Sequence, residues 1–262
     1  YGRIIRDEDE SPIAIREEAD ASNSEKNINE IFTGIMIADN EFLKKGLKGL
    51  LRNNKAGEYY LTDLVDYASK RQLKIGSTQT KEKEILGANN KEELAVLYKS
   101  LVALNVEEAK KKGTIFKDEA TCYVEGNLKV GKDVRIGSNV TIKGDVKIGN
   151  DVSIESNVVL ANVNIGDNSV IRDFCSVEDS TIAKNVEVGP FARLRDGVVL
   201  DDSAKVGNFV EIKKSKIGEG SKANHHAYLG DAKVGKKVNI GAGTITCNYD
   251  GKVKHKTTIE DG

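Results

Sequence analysis

Between residues 124 and 240 an aliphatic side chain returns at every sixth position. Val130, Ile136, Ile142, Ile148, Ile154 and Leu160 form one unbroken series. After a slip of one residue it resumes at Ile165, Ile171 and Val177, and after a second at Ile182, Val188, Leu194, Leu200, Val206 and Ile212. A second apolar position follows four residues after the first, at Val134, Val140, Val146, Val152 and Val158. A period of six fits neither the 3.6 residues of a helical turn nor the alternation of a half-buried strand. It fits a solenoid in which each hexad supplies one short strand and three hexads close a triangular coil of roughly 18 residues. Gly131, Gly137 and Gly149 directly follow three of the aliphatics. Between the aliphatics stand Asp133, Ser138, Asn139, Asp145, Asn150, Asp151, Asn157, Asp167 and Asn168. Such side chains bond their own backbone in turns and accept left-handed backbone angles. The pattern predicts a parallel β-helix over residues 113–262 and disfavours a sandwich, whose strands would alternate and whose turns would be irregularly spaced.

The rest of the chain has ordinary periods. Residues 1–90 read as mixed α/β, with a hairpin folded about Glu8-Asp9-Glu10. The continuous apolar run of residues 31–38 predicts a buried strand. Phe42, Leu43, Leu47, Leu50 and Leu51 predict a helix over residues 40–51, and Leu61 to Leu64 open a second with Thr62 as its cap. These elements hold too few strands to make a sheet alone. Residues 91–112 lack Pro and Gly and carry Leu94, Leu97, Leu101 and Leu104 as one apolar stripe, so they predict a linker helix, or else the last helix of the first domain, stopped by Gly113. The chain opens on Tyr1-Gly2-Arg3 without Met and stops at Ile259-Glu260-Asp261-Gly262 as another hexad begins. It reads as a fragment lacking both ends, without the terminal cap a solenoid needs.

Composition narrows the function. Forty Lys and Arg stand against 41 Asp and Glu, with no basic stripe interleaved with aromatics, which argues against nucleic-acid binding. Cys122, Cys175 and Cys247 are far apart with no paired metal spacing and read as reduced cytosolic thiols. No apolar run approaches the ~18 residues of a membrane span, and no signal peptide opens the chain. The expectation is a cytoplasmic protein acting on small molecules.

Specific motifs then point to a family. Tyr1-Gly2-Arg3, residues 57–63 (Gly-Glu-Tyr-Tyr-Leu-Thr-Asp) and Gly87-Ala88-Asn89-Asn90 lie in the first part. Residues 189–195 (Gly-Pro-Phe-Ala-Arg-Leu-Arg), residues 206–214 (Val-Gly-Asn-Phe-Val-Glu-Ile-Lys-Lys), Tyr228-Leu229-Gly230-Asp231-Ala232 and the long run of residues 239–251 lie in the second. Over essentially its whole length the chain resembles the bacterial bifunctional N-acetylglucosamine-1-phosphate uridylyltransferase and glucosamine-1-phosphate N-acetyltransferase family. The resemblance implies a left-handed parallel β-helix, preceded by the C-terminal part of an α/β nucleotidyltransferase domain, and a homotrimer with acetyl-transfer sites between subunits. It implies acetyl transfer from acetyl-coenzyme A to glucosamine 1-phosphate, then uridylyl transfer from UTP with magnesium. The product would be UDP-N-acetylglucosamine, the precursor for peptidoglycan and lipopolysaccharide.

Acyl transfer to an amine needs a group that removes a proton near neutral pH, the role best suited to histidine. His225 and His226 are the candidates, and the resemblance selects His225, three residues before Tyr228. By the same resemblance Arg195, Lys213 and Lys254 grip the sugar phosphate, while Tyr228, Asn239, Asn248 and Tyr249 contact the sugar. Ala242 meets the thioester of acetyl-coenzyme A, with Asn248 and Tyr249 also on the cofactor side. Gly241 and Gly243 beside Ala242 would let backbone N–H groups approach an oxyanion. In the first part Gly2 and Glu17 are implied as sugar-nucleotide contacts, and Asn89 as a neighbour of magnesium and the uridine nucleotide. The phosphate-cradling glycine loop and the upstream metal-binding aspartate lie outside this sequence, so no uridylyl transfer is expected of the fragment; further C-terminal coils would carry more of the coenzyme A contacts, so weak or absent acetyl transfer is expected. Phe32 stands beside Thr33-Gly34 where the family has asparagine, and its ring offers no hydrogen bond. Asn224 replaces a glycine before the catalytic histidine, a position where asparagine tolerates left-handed angles. Two other readings compete: a hexapeptide-repeat acyltransferase for another amino sugar, and a non-catalytic trimeric β-helix scaffold.

Overall fold

A computed structural model describes residues 1–81 and 84–262, which divide into two compact units, Tyr1–Gly87 and Ala88–Gly262. In the first unit the predicted hairpin is present: β1 (Arg3–Arg6) pairs antiparallel with β2 (Pro12–Arg16). Helices α1 (Asn40–Leu47) and α2 (Asp63–Ser69) follow, α2 packing on β2 through Leu64 and Ala68, which are buried with Ala14 and Ile15. Gly46 allows the close crossing of α1 and α2, since a Cβ there would lie 2.6 Å from Leu64 Cδ2. Asp39 caps α1 by accepting from Phe42 N at 2.9 Å.

Three local expectations fail here. Residues 31–38 form no strand: Ile31 makes one antiparallel bridge to Arg3, and Ile35 and Ile37 are 77% and 98% exposed. The run finds backbone neighbours only at its start, where Phe32 N also donates to Gly2 O at 2.8 Å, and an apolar segment without a paired edge beyond that cannot satisfy its backbone as a buried strand. The α1 helix ends at Leu47 rather than residue 51, Gly49 N bonding back to Gly46 O at 2.9 Å. Thr62 precedes α2 but does not cap it; its hydroxyl donates to Glu17 Oε1 at 3.1 Å instead.

The second unit is a parallel β-solenoid. It opens with α3 (Lys91–Lys111), capped by Asn90, whose Oδ1 accepts from Glu93 N at 2.8 Å. Gly113, at φ 93°, follows its end. The helix lies on the strand Tyr123–Val130, with Asn105 Nδ2 donating to Val124 O at 2.9 Å. Its buried positions are Val106 and Ala109, whereas Leu94, Leu101 and Leu104 of the predicted stripe are 56%, 56% and 40% exposed. The apolar spacing is helical as predicted, but only Val106 and Ala109, near the C-terminal end of the helix, are buried, while Tyr98 reaches Glu125 at the edge and Leu97 is half-buried.

Each strand of the solenoid bonds the strand one coil away; corresponding residues are 17 or 18 apart from Tyr123 to Ile240, 20 apart where Ile115 meets Arg135, and 25 apart where Ala232 meets Thr257. One face stacks Val124, Ile142, Leu160, Val177, Leu194, Ile212 and Leu229. A second stacks Ile148, Ile165, Ile182, Leu200, Ile217 and Val234. The third stacks Ile136, Ile154, Ile171, Val188, Val206, Ala223 and Ile240. These residues and the valines four positions on form one continuous buried core. The two slips in the hexad count are coils of 17 rather than 18, closed at tighter corners such as that at Asn162, φ 53°.

Asp133, Asn139, Asp151, Asn157 and Asn168 turn their corners at left-handed φ near 56° to 59° or slightly below, as expected of these residue types (Asp151 at 55°). Asn150 and Asp167 serve differently. Asn150 Oδ1 accepts from Lys132 N of the preceding coil, and Asp167 Oδ1 accepts from Asn150 N, both at 2.9 Å. These side chains stitch coils together rather than closing their own turns. Among the described residues no helix is long and apolar enough to cross a membrane.

Candidate functional site

The candidate acetyl-transfer residues gather on the last coils, at the corner between the third face and the first. The strands Lys205–Lys213 and Lys222–Gly230 run unbroken round this corner, paired so that Asn208 lies opposite His225 and Glu211 opposite Tyr228. Gly207 permits the fit, because a Cβ there would fall on the Asn224 carbonyl oxygen, 2.6 Å from its carbon. The exposed His225 brings Nδ1 to 2.9 Å from Asn208 Oδ1. One coil further, Gly243 N donates to His226 O at 2.8 Å, which places Ala242 beside His225 along the solenoid axis. Asn208, His225 and Ala242 thus form one column. The Gly243 N–H is committed to that bond.

Beside the column, the first face carries cations and hydroxyls. Arg195 lies opposite Lys213, and Lys213 opposite Gly230. Arg195 donates through Nε and Nη2 to Glu211 Oε1, both at 2.8 Å, while Nη1 reaches Asp196 at 3.1 Å. Lys213 Nζ is 3.5 Å from the same Asp196 carboxylate. The Glu211 hydrogen bond raises the Arg195 pKa above its ordinary value, with the Glu211 and Asp196 charges adding to it. The carboxylates hold both cations in fixed poses. Tyr228 and Asn248 converge over Gly230, where a Cβ would lie 2.6 Å from the tyrosine hydroxyl and 2.7 Å from Asn248 Nδ2. Asn248 is buried and donates to Asp231 Oδ2 at 2.5 Å.

Other predicted residues lie apart. Asn239 pairs with Lys222 on the third face, across the corner from Tyr228. Tyr249 and Lys254 bridge each other in an exposed arm, with Tyr249 Oη donating to Gly251 O at 2.8 Å. Asp250 locks the arm: its carboxylate accepts from Val253 N at 2.7 Å and Lys252 N at 2.8 Å and contacts His255 Nε2 at 2.6 Å. These bonds, the Val253 amide foremost, hold its pKa down to about 2. Asn224 does not use the left-handed freedom allowed to it; it is strand, and His226 takes the corner at φ 40°. Asn224 Oδ1 is buried without a partner among the described residues.

Two features escaped sequence reasoning. The first is Asn208, detectable only as the residue one coil, 17 positions, before His225. The second is a ladder at the same corner: Phe174, Phe191, Phe209 and His226 stack with ring centroids 4.8, 5.3 and 5.1 Å apart. Of the thiols, Cys122 and Cys175 are buried and Cys247 is exposed; burial pushes Cys175 up to about 11.

In the first unit Gly2 and Glu17 adjoin, since a Cβ on Gly2 would lie 3.2 Å from Glu17 Oε1. In the second, Asn89 is engaged at the start of α3, its N and Nδ2 lying 2.7 and 3.2 Å from Glu93 Oε2. Magnesium requires several hard oxygen ligands, usually with carboxylates. Asn89 offers one neutral amide, and no group of three His, Cys, Asp or Glu able to hold a metal occurs among the described residues. These residues do not fit a magnesium site.

Within the solenoid, residues 127–162 match the family model "Bacterial transferase hexapeptide (six repeats)". The chain as a whole is a homologue of proteins named bifunctional protein GlmU. It is 46% identical to that of Nitrosomonas eutropha over all of this chain and 57% of the relative. It is 45% identical to that of Neisseria meningitidis over 99% of this chain and 57% of the relative. A third, from Idiomarina loihiensis, is 48% identical over 52% of this chain and 30% of its own length. The chain therefore spans little more than half of the relatives it matches from end to end. The resemblance drawn from the motifs is borne out.

Proposed function

We propose that the second unit transfers an acetyl group from acetyl-coenzyme A to the amine of glucosamine 1-phosphate, with His225 as general base. The observation carrying this reading is the Asn208–His225–Ala242 column flanked by Arg195, Lys213, Tyr228 and Asn248 on one face. Two fixed cations suit a phosphate, since guanidinium and ammonium groups grip its oxygens. A tyrosine hydroxyl and a carboxamide beside them suit sugar hydroxyls. The amine attacks the thioester carbon; His225, three residues along the strand from Tyr228, takes its proton, the C–S bond breaks, and coenzyme A leaves as the thiol. Ala242 would meet the thioester, and Asn239, Tyr249 and Lys254, set apart within one chain, would join the site from a neighbouring subunit of a homotrimer. Equilibrium sedimentation tests that assembly; a monomer at all concentrations refutes it.

On the same reading the solenoid is left-handed, and the first unit is the later part of a uridylyltransferase domain, with Gly2 and Glu17 at its sugar-nucleotide end. UTP would be the co-substrate there, and the protein would be cytoplasmic. What supports this half is the likeness to proteins named bifunctional and the proximity of Gly2 and Glu17.

The test is release of free thiol from acetyl-coenzyme A with and without glucosamine 1-phosphate. Sugar-dependent release should fall by about 10²- to 10⁴-fold in His225→Ala, the usual range for losing a general base. Release that ignores the sugar, or survives the substitution, refutes the reading. Cys247 is exposed, so the thiol background is subtracted with a Cys247→Ser chain.

A further inference from the structure

We propose that Asn208 is a positioning residue that selects the tautomer of His225, holding the proton on Nδ1 so that the Nε2 lone pair faces the substrate amine. The inference rests on the reading of His225 as the general base.

The two atoms, Asn208 Oδ1 and His225 Nδ1, are 2.9 Å apart. A carboxamide oxygen can only accept, so the imidazole must donate from Nδ1. A neutral imidazole has one N–H, and with Nδ1 occupied Nε2 keeps its lone pair. Free histidine in water favours the opposite tautomer, so something must select this one. Asn208 is well fixed for the task. Before it, Gly207 lies under the Asn224 backbone with no room for a side chain; after it, Phe209 turns the corner at φ 54° and stacks on Phe191 and His226. The register pairing of Asn208 with His225 sets the approach across adjacent coils.

The alternatives are engaged elsewhere. Glu211, the carboxylate on the same strand, is held by Arg195 at 2.8 Å. His226 stacks on Phe209. A neutral amide also suits a base: it orients the ring without adding a negative charge that would favour the imidazolium. An inverted amide would donate to Nδ1 and leave the proton on Nε2, the wrong nitrogen for proton removal.

The tautomer can be read directly. The intact chain, labelled with ¹⁵N in its three histidines, is examined by two-bond ¹H–¹⁵N correlation at about pH 8.5, above the ordinary histidine range. The His225 signals are those lost in His225→Gln. The native chain should show the Nδ1–H pattern, Asn208→Ala should revert to Nε2–H, and Asn208→Asp, which keeps an acceptor, should retain Nδ1–H. Far-UV circular dichroism checks that each variant is folded. In the thiol-release assay Asn208→Ala should lower kcat about tenfold or more while KM for glucosamine 1-phosphate stays within about twofold, because tautomer and orientation act on proton transfer rather than on sugar binding. A native Nε2–H pattern, or an unchanged pattern in Asn208→Ala, overturns the proposal. The spectra need no substrate, so they separate this inference from the assignment of His225 as base, which the His225→Ala assay decides.

Discussion

At the scale of single residues, the surroundings of a polar side chain decide what it can do. Asp250 is the sharpest case in the exposed arm, a carboxylate with two backbone donors and an imidazole nitrogen within 2.8 Å. Hydrogen bonds to the charged form stabilise it, and the pKa falls to about 2 from the ordinary 3.8. For a depressed carboxylate the folded state gains stability above the unfolded pKa and loses it as pH falls through the folded one. The arm should therefore hold its structure at pH 4 and loosen only as pH approaches about 2. The amide chemical shifts of Lys252 and Val253 should titrate at that lower midpoint, and Asp250→Ala should move both at neutral pH. A midpoint at the ordinary value would show that the carboxylate is not engaged in solution. Arg195 is the complementary case, a cation oriented by Glu211 and Asp196 rather than left to search for its ligand. Such pairs at a surface contribute little stability, so the gain is geometric.

At the scale of elements, the corner of the candidate site depends on two adjacent strands lying closer than side chains normally allow. Gly207 is where they touch, and its lack of a Cβ sets the height of the Asn224–His225 backbone above Asn208. Gly207→Ala should cost about 1–3 kcal/mol, the usual penalty of overpacking. It should also abolish the Nδ1–H pattern of His225, because the two coils must separate; denaturant unfolding and the ¹⁵N spectrum measure the two effects. A stable variant with an unchanged spectrum would mean that the approach is looser than the structure has it. The same element explains what the sequence could and could not tell. Inward aliphatics such as Ile136, Ile154 and Leu194 are dictated by one period that repeats through the coils, so the solenoid was legible throughout. Corners at Asn139 and Asn157 were legible from residue type, but the next two members of that column, Phe174 and Phe191, were not, since aromatics rarely adopt left-handed angles. There the stacking of one ring on the next accompanies the unusual backbone. Asn208 was silent because its partner is fixed by coil length, not by local sequence. Residues 31–38 misled because an apolar run states what avoids water without stating what covers it; only Ile31 and Phe32, at its start, pair with the start of the hairpin. The motifs named His225, Arg195, Lys213 and Tyr228 together, and the coil spacing explains why residues thirty apart can share one site.

At the scale of the whole molecule, a solenoid lacks the global core that makes most small domains unfold in one step, because each coil contacts only its neighbours. Leu194 stacks between Val177 and Ile212 and is fully buried. Leu194→Ala should cost about 2–5 kcal/mol, the range for a leucine cavity in a packed interior. The distribution of that loss carries the information. With nearest-neighbour coupling, amide protection should fall most in the coils of Val177 and Ile212, which include the corner of the candidate site, and least near Ile142, three coils away along the register. Hydrogen exchange in low denaturant resolves the two regions. Equal loss at Ile142 and Ile212 would show that the continuous aliphatic column couples the coils into one cooperative body. In that case a cavity far from His225 would loosen the Asn208 contact as much as one beside it. If protection is lost locally, the site's precision depends on the few coils that carry it, and the earlier coils act as a platform whose defects do not reach the chemistry.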